Sequence, residues 1–301
     1  MKKIFIAMLA LAAASCAKNE VVELNREAIG FGDVFVENAT RATDPSYSGT
    51  ADFTSFQVWG TVNGGAGLVA IYADDSVSGA VGANSVWTCT SQKQYWVKDA
   101  EYYFAALANA DNVALGDDKL PKTVTYTADQ TDLVYAKSAK YVGLESDNPL
   151  VAFTFNHLLS LVNFTVENGS QEAEGYSFEV NGITIAGTTG GTCDVTASPV
   201  AWTQTTAGNY SIDAITVDNS TASKDCGTAL LVIPGTVSVS FNVDILCDGT
   251  KIATKAYSKA DITLAAGNSY NFVVTPKVGE EIKFNVENDP TWTSADDTTI
   301  Q

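Results

Sequence analysis

Short apolar runs alternate with turn-forming residues along most of this chain, and this alternation restricts its fold more than any other feature. The runs are rich in Val, Ile, Thr, Phe and Tyr, as β-strands are, and include FQVWGTV, TVTYT, YSFEVNGITI, VSVSFNVDIL, SYNFVV and EIKFNV. Between them lie turn sequences such as NGG, TTGG, PGT and CDGT. Because each half-buried strand needs a partner face, the pattern predicts an all-β protein built of antiparallel β-sandwiches.

Length sets the number of domains. The chain has 301 residues, of which 46% are hydrophobic, enough for two domains of ordinary size. The segment TFNHLLSLVNFTVEN is ambiguous, since HLLSLV could form a helical turn, but it continues into the strand-like NFTVEN. We interpret it as a strand that crosses between domains near Leu158 to Asn163. This interpretation predicts an N-terminal sandwich over 42–160 and a C-terminal sandwich over 161–301.

The first residues have the pattern of an export signal. Lys2 and Lys3 precede the apolar run IFIAMLALAAA, which is too short to span a bilayer, and small residues then lead to Cys16. This arrangement is similar to the lipobox of bacterial lipoproteins, although Ala13 stands where a Leu is more usual. It predicts a signal peptide over 1–15 and a lipid anchor, such as palmitate, on Cys16. Lys18 and Glu20 beside this cysteine resemble tags that direct lipoproteins to the outer membrane. The alternative is an ordinary secretory signal with an incidental cysteine.

Charge and the remaining cysteines narrow the function classes. The net charge is −18, from 35 acidic and 17 basic residues, so nucleic acid is not expected as a partner. Cys89, Cys193, Cys226 and Cys247 are too far apart in sequence for a zinc or redox motif. An exported compartment permits disulfides, but at least two of these cysteines fit better as small buried apolar residues.

Catalysis has little support in the sequence. His157 is the only histidine, and it stands among apolar residues that indicate an interior position. The acidic pairs Asp74-Asp75, Asp117-Asp118 and Asp296-Asp297 lie in polar turns without calcium-loop spacing. We therefore expect no enzyme activity, no catalytic residues, no metal and no cofactor. The tryptophans could include a sugar platform, but in sandwiches they more often pack in cores.

Five sequence blocks, in their order and spacing, resemble the fimbrillin family of type V pilus subunits. The blocks are FQVWGTV, QKQYWVKDAEYYFAAL, AFTFNHLLSLVNFTV, ALLVIPGTVSVSFNV and EIKFNVENDPTW. The resemblance implies an exported lipoprotein with two transthyretin-like, Greek-key β-sandwich domains. It also implies that an arginine-specific protease removes an N-terminal strand and that a neighbouring subunit fills the opened groove with a terminal strand of its own.

The residues before Arg41 fit a removable strand. AIGFGDVFVEN places Ile29, Phe31, Val34 and Val36 in an alternating pattern with an irregularity at Gly32–Asp33, which predicts a strand with a β-bulge. Small and polar residues then surround Arg41 and Ala42 and lead to a proline, as in an exposed loop. Arg26 and Arg41 are the only arginines in the chain. These features predict a propeptide over 16–41 and cleavage after Arg41, although a plain surface arginine is also consistent with them.

The C-terminal segment is the candidate for the donated strand. Over 280–292, apolar Ile282, Phe284 and Val286 alternate with polar residues, so one face of the strand is apolar. An ordinary last strand of the second domain has the same pattern.

The preferred function is a stalk or tip subunit of an adhesive cell-surface fimbrium, exported to the outer membrane as a lipoprotein and polymerised with other pilin subunits. The alternative is a surface-anchored lipoprotein, either a pilus anchor or a module that binds glycans or host ligands, that keeps its N-terminal segment. The sequence names no adhesion ligand.

Overall fold

The described residues of the computed structural model are 27–36, 53–65, 67–80 and 82–289, and they form strands without α-helices. In chain order the strands are β1 (Phe31–Val36), β2 (Ser55–Asn63), β3 (Leu68–Ser78), β4 (Gly82–Cys89), β5 (Glu101–Ala108), β6 (Asn112–Leu115), β7 (Pro121–Thr127), β8 (Val134–Lys137), β9 (Tyr141–Val142), β10 (Val151–His157), β11 (Ser160–Glu167), β12 (Tyr176–Asp194), β13 (Ala201–Ile212), β14 (Ile215–Val217), β15 (Ser223–Asp225), β16 (Leu230–Val232), β17 (Gly235–Cys247), β18 (Thr250–Leu264), β19 (Ser269–Thr275) and β20 (Lys283–Asp289). The predicted all-β class is confirmed.

The first sheet closes on itself. Its strand order is β2-β3-β4-β1-β10-β8-β5, and β5 pairs back onto β2, while β9 adds to the side of β5. The links β3–β4 and β10–β8 consist of two residue pairs each and act as corners. Aromatic rings fill the interior, as where Phe31 of β1 faces Phe104 of β5. These pairings join the strands of the ring into one continuous series.

The second half of the chain is a sandwich of two sheets. One sheet has the order β18-β17-β12-β7-β6, with β13 and β14 on the other side of β12. The facing sheet has β11 at its centre, paired with β15, β16 and β19, and β20 forms its edge. The core between them includes Phe164 of β11, whose ring lies 5.7 Å from that of Phe241 of β17. Most neighbouring strands are antiparallel, but β11 and β19 run parallel.

The two halves share a buried contact region. The hairpin of β6 and β7 precedes residue 160 in sequence, but β7 pairs with β12 of the second sandwich. A separate apolar cluster joins Trp59 and Leu107 of the ring to Tyr126 of β7 and to Leu159 and Ile233. The division of the chain at residue 160 and its Greek-key connectivity remain predictions.

The ambiguous segment around residue 157 is extended. β10 ends at His157, and β11 begins at Ser160, so the strand interpretation is confirmed. Leu158 and Leu159 lie between these strands and are almost completely buried. The chain therefore passes from the ring into the second sandwich without leaving the apolar interior.

Candidate functional site

The strand β1 lies between β4 and β10 in the closed ring. It pairs in parallel with β10, where Val34 lies opposite Phe153 and Val36 opposite Phe155. It also pairs antiparallel with β4, where Phe31 lies opposite Trp87. Because β4 and β10 both depend on β1 for their pairing over this stretch, its removal would open the ring between them.

The side chains predicted to face the core do so. Ile29, Phe31, Val34 and Val36 are between 0% and 7% exposed, whereas Phe35 is 42% exposed on the outer face. The ring of Phe31 is the centre of an aromatic group, with centroids 5.5 Å from Tyr72, 6.2 Å from Phe104 and 6.1 Å from Phe153. β1 therefore supplies part of the core of the closed ring.

The predicted β-bulge is present. The register against both neighbours shifts between Phe31 and Val34, and Asp33 has a left-handed backbone with φ of 49°. The extra residue allows Phe31 and Val34, which are three positions apart, to point into the same core.

The beginning of β1 is fixed by hydrogen bonds on both sides. The amide of Ile29 donates to the carbonyl of Gln94, and the amide of Trp96 donates to the carbonyl of Glu27. The Glu27 carboxylate accepts from the backbone N–H of Asn148 at 2.7 Å and from its side-chain amide at 3.0 Å. These bonds stabilise the charged form and hold the pKa of Glu27 below its usual range, the backbone N–H contributing most.

The candidate donor strand β20 lies at the edge of its own sandwich. Within the described residues its ladder partner is β19 alone, with Phe284 opposite Val274. Ile282, Phe284 and Val286 are half-buried, in contrast to the fully buried side chains of β1. The ring of Phe284 contacts three aromatic rings, at 6.2 Å from Phe241, 5.4 Å from Tyr257 and 5.7 Å from Phe272.

Several predicted site residues lie outside the described residues. These are Cys16, Arg41, Ala42 and the last part of the 280–292 segment. The described residues that flank Arg41 are Val36 and Phe53, and both lie against Phe155. Sequence reasoning did not find this common anchor, because it depends on long-range pairing.

His157 has the interior position expected of it. Its Nδ1 lies 2.6 Å from Oδ2 of Asp132, and both side chains are almost completely buried. Of the acidic pairs, Asp74-Asp75 lies within β3 and not in the turn that the sequence predicted, because an irregularity of the strand, where Asp74 has a φ of 68°, accommodates it. Asp75 accepts the amide of Ala73 there, and Asp118 accepts the amide of Leu120 in the turn before β7. Asp296-Asp297 lies outside the described residues.

The cysteines and tryptophans have mainly packing roles. Cys89, Cys193, Cys226 and Cys247 are free thiols, and burial raises the pKa of Cys193 to about 12. Trp59, Trp87 and Trp96 are buried. Trp202 borders a cleft of about 740 Å³ and donates its indole N–H to the carbonyl of Leu158.

Within the described ranges, no cluster of three or more potential metal ligands occurs, nor any helix that could cross a membrane.

Gln130 connects distant parts of the chain in a way that the sequence pattern does not reveal. Its side-chain carbonyl accepts the amide of Leu231 at 2.9 Å, and its side-chain amide donates to the carbonyl of Leu231 at 3.1 Å. The side chain therefore satisfies both backbone groups of one residue of β16, as a neighbouring strand would.

Comparison with known proteins identifies similar sequences and folds. A sequence model of a family described as fimbrillin-like matches residues 40–290. No curated protein sequence matches the chain. A fimbrial protein from Bacteroides vulgatus has a similar structure, with a TM-score of 0.62 at 17% identity over 89% of this chain and 100% of that one. A putative cell adhesion protein from Bacteroides uniformis has a TM-score of 0.54 at 18% identity over 89% and 98%.

Proposed function

The chain belongs to the fimbrillin-like family, and from this membership we propose that it is a structural subunit of an adhesive cell-surface fimbrium, assembled by strand exchange. The precursor is exported as a lipoprotein acylated on Cys16, an arginine-specific protease cleaves after Arg41, and the mature subunit then joins other pilin subunits. This role in assembly needs no enzyme activity. It places the precursor at the outer membrane and the mature subunit in the extracellular fimbrium.

The observation that carries this proposal is the position of β1 in the ring. β1 precedes Arg41, so cleavage leaves it attached to the rest of the chain by non-covalent contacts alone. Its loss uncovers the core around Phe104 and Phe153 and leaves the facing backbone groups of β4 and β10 without partners. A strand from another molecule restores both, which is β-augmentation.

β20 is held less strongly in its own sandwich than a strand in the position of β1 would be. In its own sheet β20 has one ladder partner, and its apolar side chains are half-exposed. The position of β1 provides two ladder partners and full burial. Completing the burial of a half-exposed Phe or Val side chain contributes about 1 kcal/mol for each residue. Exchange therefore replaces a weakly held edge strand by a strongly held internal one.

The test uses the small number of arginines. An arginine-specific protease can cut this chain after Arg26 and Arg41 only, so treatment of the purified precursor gives a defined product. We expect the cleaved chain to form ladders that survive mild denaturant on gels, while uncleaved precursor remains monomeric. Persistent monomer after cleavage verified by N-terminal sequencing contradicts the proposal.

The alternative is an anchored subunit or ligand-binding lipoprotein that keeps β1. The fully integrated β1 favours it, because a closed ring is complete without a partner. The N-terminal residue of protein recovered from cells separates the two. Ala42 indicates a polymerised subunit, and acylated Cys16 indicates an anchored one.

A further inference from the structure

A cleft of about 740 Å³ lies where the closed ring meets the second sandwich. The ring contributes Tyr135 of β8 and Asn156 of β10 to its lining, and the second sandwich contributes residues from the segments 195–200, 234–235 and 264–268. Sites that bind small molecules have volumes of about 300–1,000 Å³. The cleft is therefore large enough to hold a small ligand.

One wall of the cleft is the indole ring of Trp202. Its N–H donates to the carbonyl of Leu158 at 2.9 Å, so the only hydrogen-bond donor of the ring is already used. On β12, Gly191 has no side chain, and a Cβ at this position would lie only 3.1 Å from Cε3 of the indole. The indole is therefore packed closely against β12, and its partly exposed remainder offers the cleft a carbon surface.

The polar side chains of the lining have hydrogen-bonding groups to spare. Tyr135 is 8% exposed, and its hydroxyl makes no hydrogen bond to another described residue. Burial raises the pKa of Tyr135 to about 12, so this hydroxyl stays protonated and can donate. The hydroxyl of Ser198 is also unpaired within the described part of the chain. The side-chain amides of Asn156 and Asn268 each donate one hydrogen bond, but neither side-chain carbonyl accepts one from a described residue.

These polar groups come from both halves of the chain. Tyr135 lies opposite Asn156 in the ladder of β8 and β10, so the two side chains project from the same face of the ring. This face is the outer one, because Val134, the neighbour of Tyr135, belongs to the ring core. Ser198 and Asn268 belong to the second sandwich. One ligand in the cleft can therefore contact both halves.

The cleft is uncharged although the chain is strongly acidic. The net charge is −18, but none of the described residues that line the cleft is Asp, Glu, Lys or Arg. The side chain of His157 is only 3% exposed and lies against Asp132. An anionic ligand would find no cation in this lining and would be repelled by the field of the whole chain. A cationic ligand would find no carboxylate, so the lining favours a neutral ligand.

A carbohydrate matches this combination of groups. Each sugar hydroxyl both donates and accepts, as the spare amide and hydroxyl groups of Asn156 and Ser198 require. The C–H face of a pyranose ring is apolar and packs against an aromatic ring such as that of Trp202. An extended peptide usually pairs its backbone with an exposed strand edge. The spare groups here belong instead to side chains on separate strands and loops.

On these grounds we propose that the cleft between the ring and the second sandwich binds a neutral oligosaccharide. Trp202 forms the apolar wall, and the sugar hydroxyls bond to the side chains of Tyr135, Asn156, Ser198 and Asn268. This inference goes beyond the proposed function, because it does not depend on strand exchange. It assigns a ligand class and a site to the adhesion of such a subunit.

Ligand-detected NMR of the uncleaved precursor tests the ligand class. The probes are four neutral disaccharides, namely lactose, maltose, mannobiose and diacetylchitobiose, and saturation transfer from the protein measures binding. We expect at least one of them to bind at millimolar concentration, and sialyllactose to bind no better than lactose. Failure of all four to bind overturns the inference. Tighter binding of sialyllactose than of lactose contradicts the assignment of a neutral ligand.

Substitutions test whether binding occurs in the cleft. Ala266→Trp places a large side chain in the lining and should abolish binding. Asn156→Ala should weaken it roughly two- to tenfold, as the loss of one hydrogen bond predicts. Asn209→Ala is the matched control, because it removes an exposed amide from β13 outside the cleft. Thermal melting shows that each variant is folded, and binding that is unchanged in a folded Ala266→Trp variant overturns the inference.

A neutral peptide is the competing ligand class. If a neutral proline-rich peptide binds the precursor, loses binding in the Ala266→Trp variant, and no disaccharide binds, the cleft is a peptide site and the inference is overturned. Ladder formation after cleavage is measured separately on the same variant, and we expect it to equal that of the unmodified chain. Sugar binding without ladders rejects strand exchange alone, and ladders without sugar binding reject this inference alone.

Discussion

The ring of Phe53 lies 4.9 Å from that of Phe155, the residue that pairs with Val36 at the end of β1. Phe53 and Val36 flank residues 37–52, which contain Arg41, and both are buried. If the chain is cleaved after Arg41, the next described residue on the new end is Phe53, whose ring packs against Phe155. In the proposed exchange, release of β1 leaves this contact within the ring.

Arg41→Lys should block maturation, because it keeps the positive charge but removes the side chain that an arginine-specific protease recognises. We expect uncleaved precursor at the cell surface and no fibres. N-terminal sequencing of the surface protein measures this, and Arg26→Lys is the control. Fibres that begin at residue 42 in the Arg41 variant contradict the processing role.

Phe31→Ala should destabilise the precursor by about 3–5 kcal/mol, because it leaves a cavity among Tyr72, Phe104 and Phe153. Phe35→Ala, on the outer face of the same strand, should change stability by about 0.5 kcal/mol or less. Urea unfolding of the two precursors gives the comparison. Since both residues precede Arg41, fibres made from either variant should have unchanged stability, and a less stable fibre argues against release of β1.

Phe284→Asp should stop assembly while the precursor still folds. In the monomer the substitution removes a half-buried ring, at a cost of about 1–2 kcal/mol. In the core of a neighbouring ring, an unpaired carboxylate is far more costly. Thermal melting and ladder formation should be measured together, with Asn285→Ser on the exposed face as control. A precursor that fails to fold shows that Phe284 belongs to the structural core of its own sandwich.

Gln130→Ala should lower stability by about 1–3 kcal/mol, because it leaves both backbone groups of buried Leu231 without partners. Hydrogen exchange at the Leu231 amide should accelerate, and the exposed Gln57→Ala is the control. Unchanged exchange at Leu231 shows that another group replaces the contact.

Acid should loosen the beginning of β1. The pKa of Glu27 is lowered in the folded state by its bonds to Asn148, so its stabilising contribution is present above the unfolded pKa and is lost as the pH falls through the folded pKa. We expect the protection factor of the Ile29 amide in the precursor, which is its exchange rate corrected for the intrinsic rate at each pH, to fall over this acidic range. Glu27→Gln should remove most of that pH dependence, and an equally steep fall in the variant assigns it to another group.

The sequence predicted local features well. Alternation identified β1, its bulge at Asp33 and the inward side chains, because these depend on the two-residue period of a strand. It also indicated the buried position of His157, but it did not identify Asp132 as the partner. The closure of the ring, the pairing of β7 with β12 and the contact of Gln130 with Leu231 depend on which distant strands meet. The alternation of apolar and polar residues within one segment does not show which distant strand that segment pairs with.

The closed ring also has a consequence for the order of folding. β1 is the first strand of the ring to be synthesised, but its parallel partner β10 follows only after the other ring strands. The entropic cost of joining such distant segments favours early formation of the hairpins and late insertion of β1. The last folding intermediate is then a ring that lacks one strand, which is the state that cleavage at Arg41 would recreate. Polymerisation would in that case be the final folding step repeated with a strand from another molecule.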